Sequence, residues 1–198
     1  MVCLLMNVIW IKEYRGRQKA RNSSTHHKRS FEKRLWKDLV MAIKIRSLTS
    51  TDSAEAVQVF FDAIHVGTAD VYSEKERIAW AGNEPDTDGW RGRFDNVDGL
   101  VAETDGKMLG FMTLDQAGYI DLAFVAPDAM GQGIGRQLYE AIERRAIAAR
   151  TRRLTTEASM KAKPFFERMG WQVEREQIVV KRNTPLTNFR MYKSLAQA

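Results

Sequence analysis

The chain has 198 residues, a length that suits one ordinary domain with a buried core, and its formal net charge is +6. Its one cysteine, Cys3, excludes an internal disulfide and a cysteine-rich metal site, and its three histidines lack a metal-binding spacing. We therefore expect a protein of the reducing cytoplasm that holds no metal.

The positive charge is concentrated at the start of the chain. Residues 1–40 contain ten Lys/Arg and three Asp/Glu, so the residues that follow are close to neutral. Residues 1–11 are apolar but fewer than the ~20 of a membrane-spanning helix, and they lack the features of a secretory signal, so no membrane partner is expected. A basic arm can bind nucleic acid, but no DNA-binding motif accompanies it, so nucleic acid is not the expected partner. We predict a disordered basic extension over 1–40, which is not native if translation begins at Met41, and a folded domain over 41–198.

The first elements of the domain follow from apolar spacing. Residues 43–46 alternate between apolar and polar, which is typical of a half-buried strand. Thr51 or Asp52 can cap the helix that follows, and Ser73 with Glu76 forms a capping box for a second helix that ends near Trp80. Residues 82–89 predict a loop. The inner face of the first helix is predicted to hold Ala54, Val57, Phe60, Phe61 and Ile64.

A hairpin and a third strand come next. Residues 100–104 and 108–114 flank the Asp105-Gly106 pair, which supplies the positive φ of a two-residue turn. Tyr119 to Val125 is predicted to be one strand. Its alternation directs Ile120, Leu122 and Phe124 to the core and sends Tyr119, Asp121, Ala123 and Val125 to the opposite face.

Three glycines follow this strand and open a helix. Gly131, Gly133 and Gly135 lie at alternate positions, and Gly133 to Ala149 is amphipathic. A glycine loop at a helix N-terminus directs unpaired N–H groups and the positive end of the helix dipole at one spot, which suits a phosphate. The inner face of this helix is predicted to hold Ile134, Leu138, Ala141, Ile142 and Ile147.

The rest of the chain predicts a short strand over 153–157 and a helix over 163–169 that Gly170 stops. Two last strands, over 171–180 and 188–192, are separated by a loop around Asn183, Thr184 and Pro185. The predicted order β-α-α-β-β-β-α-β-α-β-β indicates a mixed α/β sheet without an internal repeat.

Two motifs resemble those of the GCN5-related N-acetyltransferases. Phe124-Val125-Ala126-Pro127, followed by Gly133-Ile134-Gly135 and Leu138, resembles the acyl-CoA-binding motif, and the run from Lys163 to Trp171 resembles a later motif of the same family. The likeness covers residues 43–193. Within the family, the chain is similar to a group of bacterial members without an assigned function. It implies a central mixed, mostly antiparallel sheet of about six or seven strands with about four helices.

The resemblance implies acetyl-CoA as co-substrate. In the family the loop amides bind the diphosphate, which here assigns Met130, Gly131, Gln132, Gly133, Ile134, Gly135 and Arg136. The backbone near Phe124 and Val125 would pair with the pantetheine arm, and Ser159 and Phe166 are further candidate contacts, although Ser159 also suits a helix cap. The chain departs from the family at Met130, where Arg or Gln is usual. It also departs at Phe166, where many members have a Tyr that acts as general acid.

Transfer to an amine requires a base, and Asp121 is the candidate. Burial in the middle of an apolar strand would make its carboxylate a stronger base, and some members of the family place a Glu there. The alternative is an Asp that pairs with a nearby Arg or backbone group. Tyr119, Tyr192 or water are the candidates for the acid that protonates the departing thiolate.

The acceptor is expected to be a primary amine of a small molecule or peptide that attacks directly in a ternary complex. Asp62, Asp70 and Glu74 are expected to attract a cation at the entrance. An alternative hypothesis is a non-catalytic acyl-CoA-binding sensor, and a homodimer through the strands between Trp171 and Tyr192 is possible. The expected aromatic walls of the acceptor site are His65, Tyr72, Trp80 and Trp90.

Overall fold

A computed structural model describes residues 43–95 and 97–196, so the predicted extension over 1–40 lies outside the described residues. The helices are α1 (Ser53–His65), α2 (Glu74–Ala81), α3 (Ile134–Ala148) and α4 (Lys163–Arg168). The strands are β1 (Lys44–Ser47), β2 (Asp98–Thr104), β3 (Lys107–Leu114), β4 (Tyr119–Ile120), β5 (Ala123–Val125), β6 (Arg153–Ser159), β7 (Gln172–Lys181) and β8 (Thr184–Ser194). No helix of this described part is long and apolar enough to cross a bilayer.

The strands form two four-stranded sheets. The first has the order β1-β2-β3-β5 and is antiparallel throughout. The second has the order β4-β6-β8-β7, in which β4 runs parallel to β6 and the other pairs are antiparallel. The predicted mixed, mostly antiparallel architecture is confirmed, with eight strands and four α-helices in the described residues.

The strand predicted over residues 119–125 is broken, which corrects the sequence interpretation. Tyr119 and Ile120 pair with β6 in the second sheet, whereas β5 pairs with β3 in the first. The chain changes sheets at Asp121 and Leu122. There the Thr113 amide donates to the Leu122 carbonyl at 2.9 Å, and the Leu122 amide donates to Thr113 Oγ1 at 3.1 Å. An apolar run looks the same along one strand or along two, so the break was invisible in the sequence.

The two hairpin turns are of the same kind. Asp105 and Gly106 have φ values of 49° and 75°, which confirms the predicted Asp-Gly turn. Arg182 and Asn183 have φ values of 45° and 59°, so the last connection is also a two-residue turn. The loop predicted to include Thr184 and Pro185 is therefore too long, because both residues belong to β8. Pro185 is tolerated there because the pairing of β8 with β6 reaches only Asn188.

The capping box of Ser73 and Glu76 is confirmed at α2. Asp52 occupies the N-cap position of α1, but its carboxylate accepts from the Thr49 amide at 2.8 Å and from the Arg46 guanidinium. The helix cap predicted for this side chain is therefore replaced by a salt bridge to β1.

The apolar stripes of α1 and α3 were predicted with two errors. Val57 and Ile64 of α1 are buried as expected, but Ala54 is exposed. On α3 the buried stripe runs through Ile142 and Ala146, which leaves Ile147 42% exposed because one residue turns the helix by about 100°. Both helices pack against the first sheet and so bring the start of α3 to the end of β5.

Candidate active site

A gap opens between the two sheets where β4 gives way to β5. Ile120 pairs with Thr156, but within the described residues β5 has β3 as its strand partner and the end of β6 has β8. The Leu122 carbonyl and the Ala126 amide bond to β3. Antiparallel bonds alternate, so the N–H and C=O groups of Ala123 and Val125 point away from β3 into the gap. The expected backbone contact at Val125 thus faces the gap, whereas Phe124 contributes its ring.

The glycine loop, residues 130–136, lies beside this gap. Gly131 and Gly133 have φ values of 77° and 84°, and no atom lies within 4 Å of the positions their Cβ atoms would take. In the described part of the chain the amides from Gly131 to Arg136 donate to no protein group, while that of Met130 bonds to Pro127 O at 3.4 Å. The loop is therefore an open ring of free donors at the start of the 15-residue helix α3.

Two side chains of the loop turn inward. Gln132 donates from Nε2 to the carbonyl of Asp128 at 2.7 Å and so supports the loop backbone. The Met130 side chain packs against Gly67, where an added Cβ would lie 2.4 Å from Met130 Cε. Met130 therefore fills the space after α1, and the free donors of the loop are backbone amides, which need no particular side chain.

The second motif supplies the floor of the site. The Phe165 ring of α4 packs over the start of α3, where a Cβ added at Gly135 would lie in ordinary van der Waals contact with it at 3.4 Å. Phe166 is 1% exposed and packs edge-on against Tyr139 and Trp171. Ser159 Oγ accepts from the Ala162 amide at 3.1 Å in the turn before α4, but the N-cap residue of α4 is Ala162, so Ser159 does not cap the helix. Both Phe166 and Ser159 also line the cleft described next.

A cleft of about 340 Å³ extends from the gap to α2 and the β7–β8 turn. Asp121 lines it, but its side chain is 50% exposed and its Oδ2 lies 2.7 Å from Nη2 of Arg93. The expected burial of Asp121 is therefore wrong, because the break between β4 and β5 removes this residue from the sheet interior. The pairing with an arginine is the alternative that the sequence left open.

The two candidate acids lie in different places. Tyr119 lines the cleft, and burial, reinforced by the charges of Asp121 and Glu157, raises the pKa of Tyr119 to about 12. Its hydroxyl therefore keeps its proton across the physiological range. Tyr192 lies outside the cleft, donates to Gln172 Oε1 at 2.5 Å and has the Arg153 guanidinium over its ring. The geometry corrects the expectation that Tyr192 reaches the reacting group.

Three of the four expected aromatic residues line the cleft, namely Tyr72, Trp80 and Trp90. The Tyr72 hydroxyl donates to Thr187 O at 2.8 Å and accepts from the Met160 amide at 3.0 Å, and burial raises the pKa of Tyr72. Trp90 packs in a buried cluster with Phe60 and Phe94.

His65 is not in the cleft. Its Nε2 lies 2.9 Å from the carbonyl of Gly82, so it joins the end of α1 to the end of α2. The acidic entrance is also corrected, because Asp62, Asp70 and Glu74 do not line the cleft and Asp70 pairs with Lys161 at 2.6 Å. A helix face shows which residues are polar but not which loop faces them.

Sequence analysis missed several polar residues of the cleft. Glu157 and Asn188 come from β6 and β8, and Arg93 and Lys181 come from the loop before β2 and the end of β7. Alternation along β6 could have identified Glu157 as facing away from the core. Its neighbours depend on the pairing of β4 with β6, which no local pattern indicates.

Comparisons with known proteins agree with this geometry. A family model described as Acetyltransferase (GNAT) domain matches residues 68–193. The chain is 30% identical over 149 residues to the Escherichia coli (strain K12) protein named Uncharacterized N-acetyltransferase YafP, and the match covers 75% of this chain and 94% of that relative.

Solved structures show the same fold. The GCN5-related N-acetyltransferase from Rhodopseudomonas palustris, also named "Aminotransferase, Class-II", has a structure with a TM-score of 0.72 at 32% identity, and the match covers 77% of this chain and 95% of that chain. The structure of yncA from Salmonella typhimurium with its cofactor acetyl-CoA has a TM-score of 0.61 at 18% identity, and the match covers 79% of this chain and 96% of that chain. The glycine loop, the gap beside it and these matches together show that the chain is an acetyltransferase and belongs to the GCN5-related N-acetyltransferase (GNAT) family.

Proposed function

We propose that the protein transfers an acetyl group from acetyl-CoA to a primary amine of a small molecule or peptide, by direct attack in a ternary complex. The observation that carries this proposal is the open ring of free amides between Gly131 and Arg136 beside the gap. These amides would hold the diphosphate, and the free backbone groups of Ala123 and Val125 would hold the pantetheine arm. Acetyl-CoA, when bound, supplies the acetyl group as an activated thioester.

Asp121 is proposed as the general base. The neutral amine nitrogen forms the new C–N bond, the C–S bond breaks with its electron pair on sulfur, and one nitrogen proton passes to Asp121 directly or through water. Two features support the assignment: the carboxylate lies at the break between β4 and β5, and half of it is exposed to the cleft. Its ion pair with Arg93 must open or shift as the amine arrives.

Tyr119 is proposed to assist the departing sulfur. Its hydroxyl lines the same cleft and keeps its proton because its pKa is raised to about 12. It can therefore donate a hydrogen bond to the thiolate, which then takes its proton from this hydroxyl or from water. Phe166 carries no hydroxyl, so the position that many family members use for this acid cannot supply one here.

A homodimer through the last strands is also proposed. Within the described residues β7 is an edge strand, and Ile178 and Val180 on one of its faces are each 69% exposed. Pairing of two β7 strands about Val179 would set Ile178 of each copy against Val180 of the other. Light scattering of the wild type and of Ile178→Lys tests this pairing, since the charge should leave a monomer.

The experiment that tests the enzymatic proposal measures free thiol released from acetyl-CoA across a panel of amines. The panel contains diaminobutane, pentylamine, lysine and a peptide with a free N-terminus. Calorimetry measures the Kd of CoA in parallel. Thiol release that depends on an amine and yields the acetylated amine supports the proposal. Tight CoA binding without thiol release on any of these amines would overturn it.

A further inference from the structure

Glu157 is the second carboxylate of the gap. It follows Thr156, the register partner of Ile120, just as Asp121 follows Ile120. The two carboxylates therefore lie at the start of the gap, one on each of its two sides, where the pairing of β4 with β6 ends. Both charges act on the Tyr119 hydroxyl, which lies between the start of the gap and the cleft.

The two carboxylates differ in their cation partners. Asp121 is neutralised by Arg93 at 2.7 Å. Arg190 faces Glu157 in register, but its Nε lies 2.8 Å from Glu174. Among the described residues no Lys, Arg or His nitrogen lies within the 4.0 Å of an ion pair from the Glu157 carboxylate. Glu157 thus brings to the cleft a carboxylate that forms no ion pair within the described part of the protein.

The neighbour of Glu157 is Asn188, which lies opposite Ser159 on the adjacent strand. Asn188 Nδ2 faces Glu157 Oε2 at 3.5 Å, and its Oδ1 is buried without a hydrogen-bond donor in the described part of the chain. The amide of Asn188 therefore orients the carboxylate from one side. A cleft carboxylate without an ion-pair partner is complementary to a positively charged group with several N–H donors, namely an ammonium ion.

The reacting nitrogen is a poor match for this subsite. A carboxylate close to an ammonium group stabilises its protonated form. The attacking amine must be neutral, so pairing with Glu157 would oppose its attack. The subsite suits a second nitrogen of the acceptor that keeps its proton.

On the basis of the proposed function, we propose that Glu157 binds a second, non-reacting ammonium group of the acceptor, so that the acceptors are molecules with two or more amino groups. Glu157 contacts this ammonium, and Asn188 is a positioning residue that orients the carboxylate. The specificity lies in the charge at the far end of the acceptor.

The test compares diaminobutane with pentylamine, which has the same number of non-hydrogen atoms but one ammonium group. We expect the wild type to prefer diaminobutane on the order of tenfold in kcat/KM, because charge-assisted hydrogen bonds are about that strong. Glu157→Gln should abolish this preference through a higher KM, and Glu157→Asp should restore part of it. Asn188→Leu should lower the preference while kinetics with pentylamine change little. Glu176→Gln, an exposed carboxylate of β7, should keep the wild-type preference.

Calorimetry of diaminobutane with the CoA-loaded protein separates this inference from the proposed function. Binding that weakens about tenfold in Glu157→Gln supports the subsite even if no acetyl transfer is seen, in which case only the proposed function fails. Acetylation of both amines with equal kcat/KM, or a preference that Glu157→Gln retains, overturns the inference and leaves the proposed function in place. Loss of fold is checked by the melting temperature and by the Kd of CoA, which should match the wild type.

Discussion

The carboxylate of Asp121 and the guanidinium of Arg93 form an ion pair of 2.7 Å at the cleft. Arg93 precedes β2 and also lies over the ring of Trp90, with Cζ 5.6 Å from its centroid. The proposed base is therefore tied to a loop that comes from the other side of the cleft. Under the proposed mechanism, the acceptor amine reaches this carboxylate only when the pair with Arg93 opens or shifts.

Removal of the Arg93 guanidinium should improve acceptor binding. Arg93→Gln is expected to lower the KM for diaminobutane by about two- to fivefold, because half-exposed ion pairs contribute only ~0.2–1 kcal/mol. Steady-state kinetics with saturating acetyl-CoA measures the change. Arg91→Gln, which breaks the exposed pair with Asp88, is the matched control and should leave KM unchanged. A higher KM in Arg93→Gln would show instead that Arg93 contacts the acceptor.

Replacement of the proposed base should slow the chemical step. We expect Asp121→Asn to lower kcat by about a hundredfold, since general base catalysis contributes at least that much. The Kd of CoA should stay within twofold of wild type, a margin that corresponds to about 0.4 kcal/mol. Asp105→Asn in the β2–β3 turn is a control, because Asn also adopts the positive φ of that position. An unchanged kcat for Asp121→Asn would move the base to another group.

The glycine loop offers a test of CoA binding in which an added Cβ meets no neighbouring atom and the strain of the positive φ is matched in the control. Gly133→Glu should weaken CoA binding on the order of a hundredfold or more, because the carboxylate repels the diphosphate and the side chain covers the free amides. Gly106→Glu is the matched control, since Gly106 also has a positive φ and open space around its Cβ position. Calorimetry should show wild-type CoA affinity in the control. Equal affinity in both variants would remove the loop from the CoA site.

The raised pKa of Tyr119 predicts that the protein loses stability at high pH. Its folded-state pKa of about 12 exceeds the unfolded value of 10.0, so its contribution to stability is complete below pH 10 and is lost as the pH rises towards 12. Tyr119→Phe should reduce the fall in the free energy of unfolding across this window by about 1 kcal/mol, allowing for partial solvent screening. Urea unfolding at pH 9 and pH 11 measures it. Tyr192→Phe, which removes a hydroxyl outside the cleft, is the control.

Replacement of Tyr72 should lower the stability of the protein at neutral pH. Tyr72→Phe leaves the Met160 amide and the Thr187 carbonyl without their partner, at a cost of about 1–3 kcal/mol. Urea unfolding should show this decrease, while Tyr192→Phe should stay within about 0.5 kcal/mol of wild type. If Tyr72→Phe lowers the free energy of unfolding by no more than about 0.5 kcal/mol, water replaces both hydrogen bonds.

The features that the sequence predicted well depend on neighbours within a few residues. The Asp105-Gly106 turn, the Ser73–Glu76 capping box and the stop at Gly170 are each set by backbone conformations that particular residue types favour. The glycine loop belongs to the same class, because its free amides follow from the start of a helix. The family motifs added the expectation of a CoA site.

The partners of each polar side chain could not be predicted in this way. The expected burial of Asp121 depends on one continuous strand over residues 119–125. The expected place of Tyr192 in the site depends on the strands beside β8, which the sequence does not identify. The β-strand period shows which face a residue occupies but not which strand lies beside it. Glu157 was overlooked for this reason.

By itself, the sequence of this protein determined the order of most helices and strands, the capping box of α2, the end of α4 before Gly170 and the ring of free amides at the start of α3, because these are interactions between near neighbours. Only the tertiary structure decided that the chain changes sheets at Asp121 and that Arg93, Glu157 and Asn188 share one cleft. Such groups are brought together by strand pairing over long sequence separations, such as that of Ile120 with Thr156. The energy of that pairing comes from the packed core as a whole and not from any short segment.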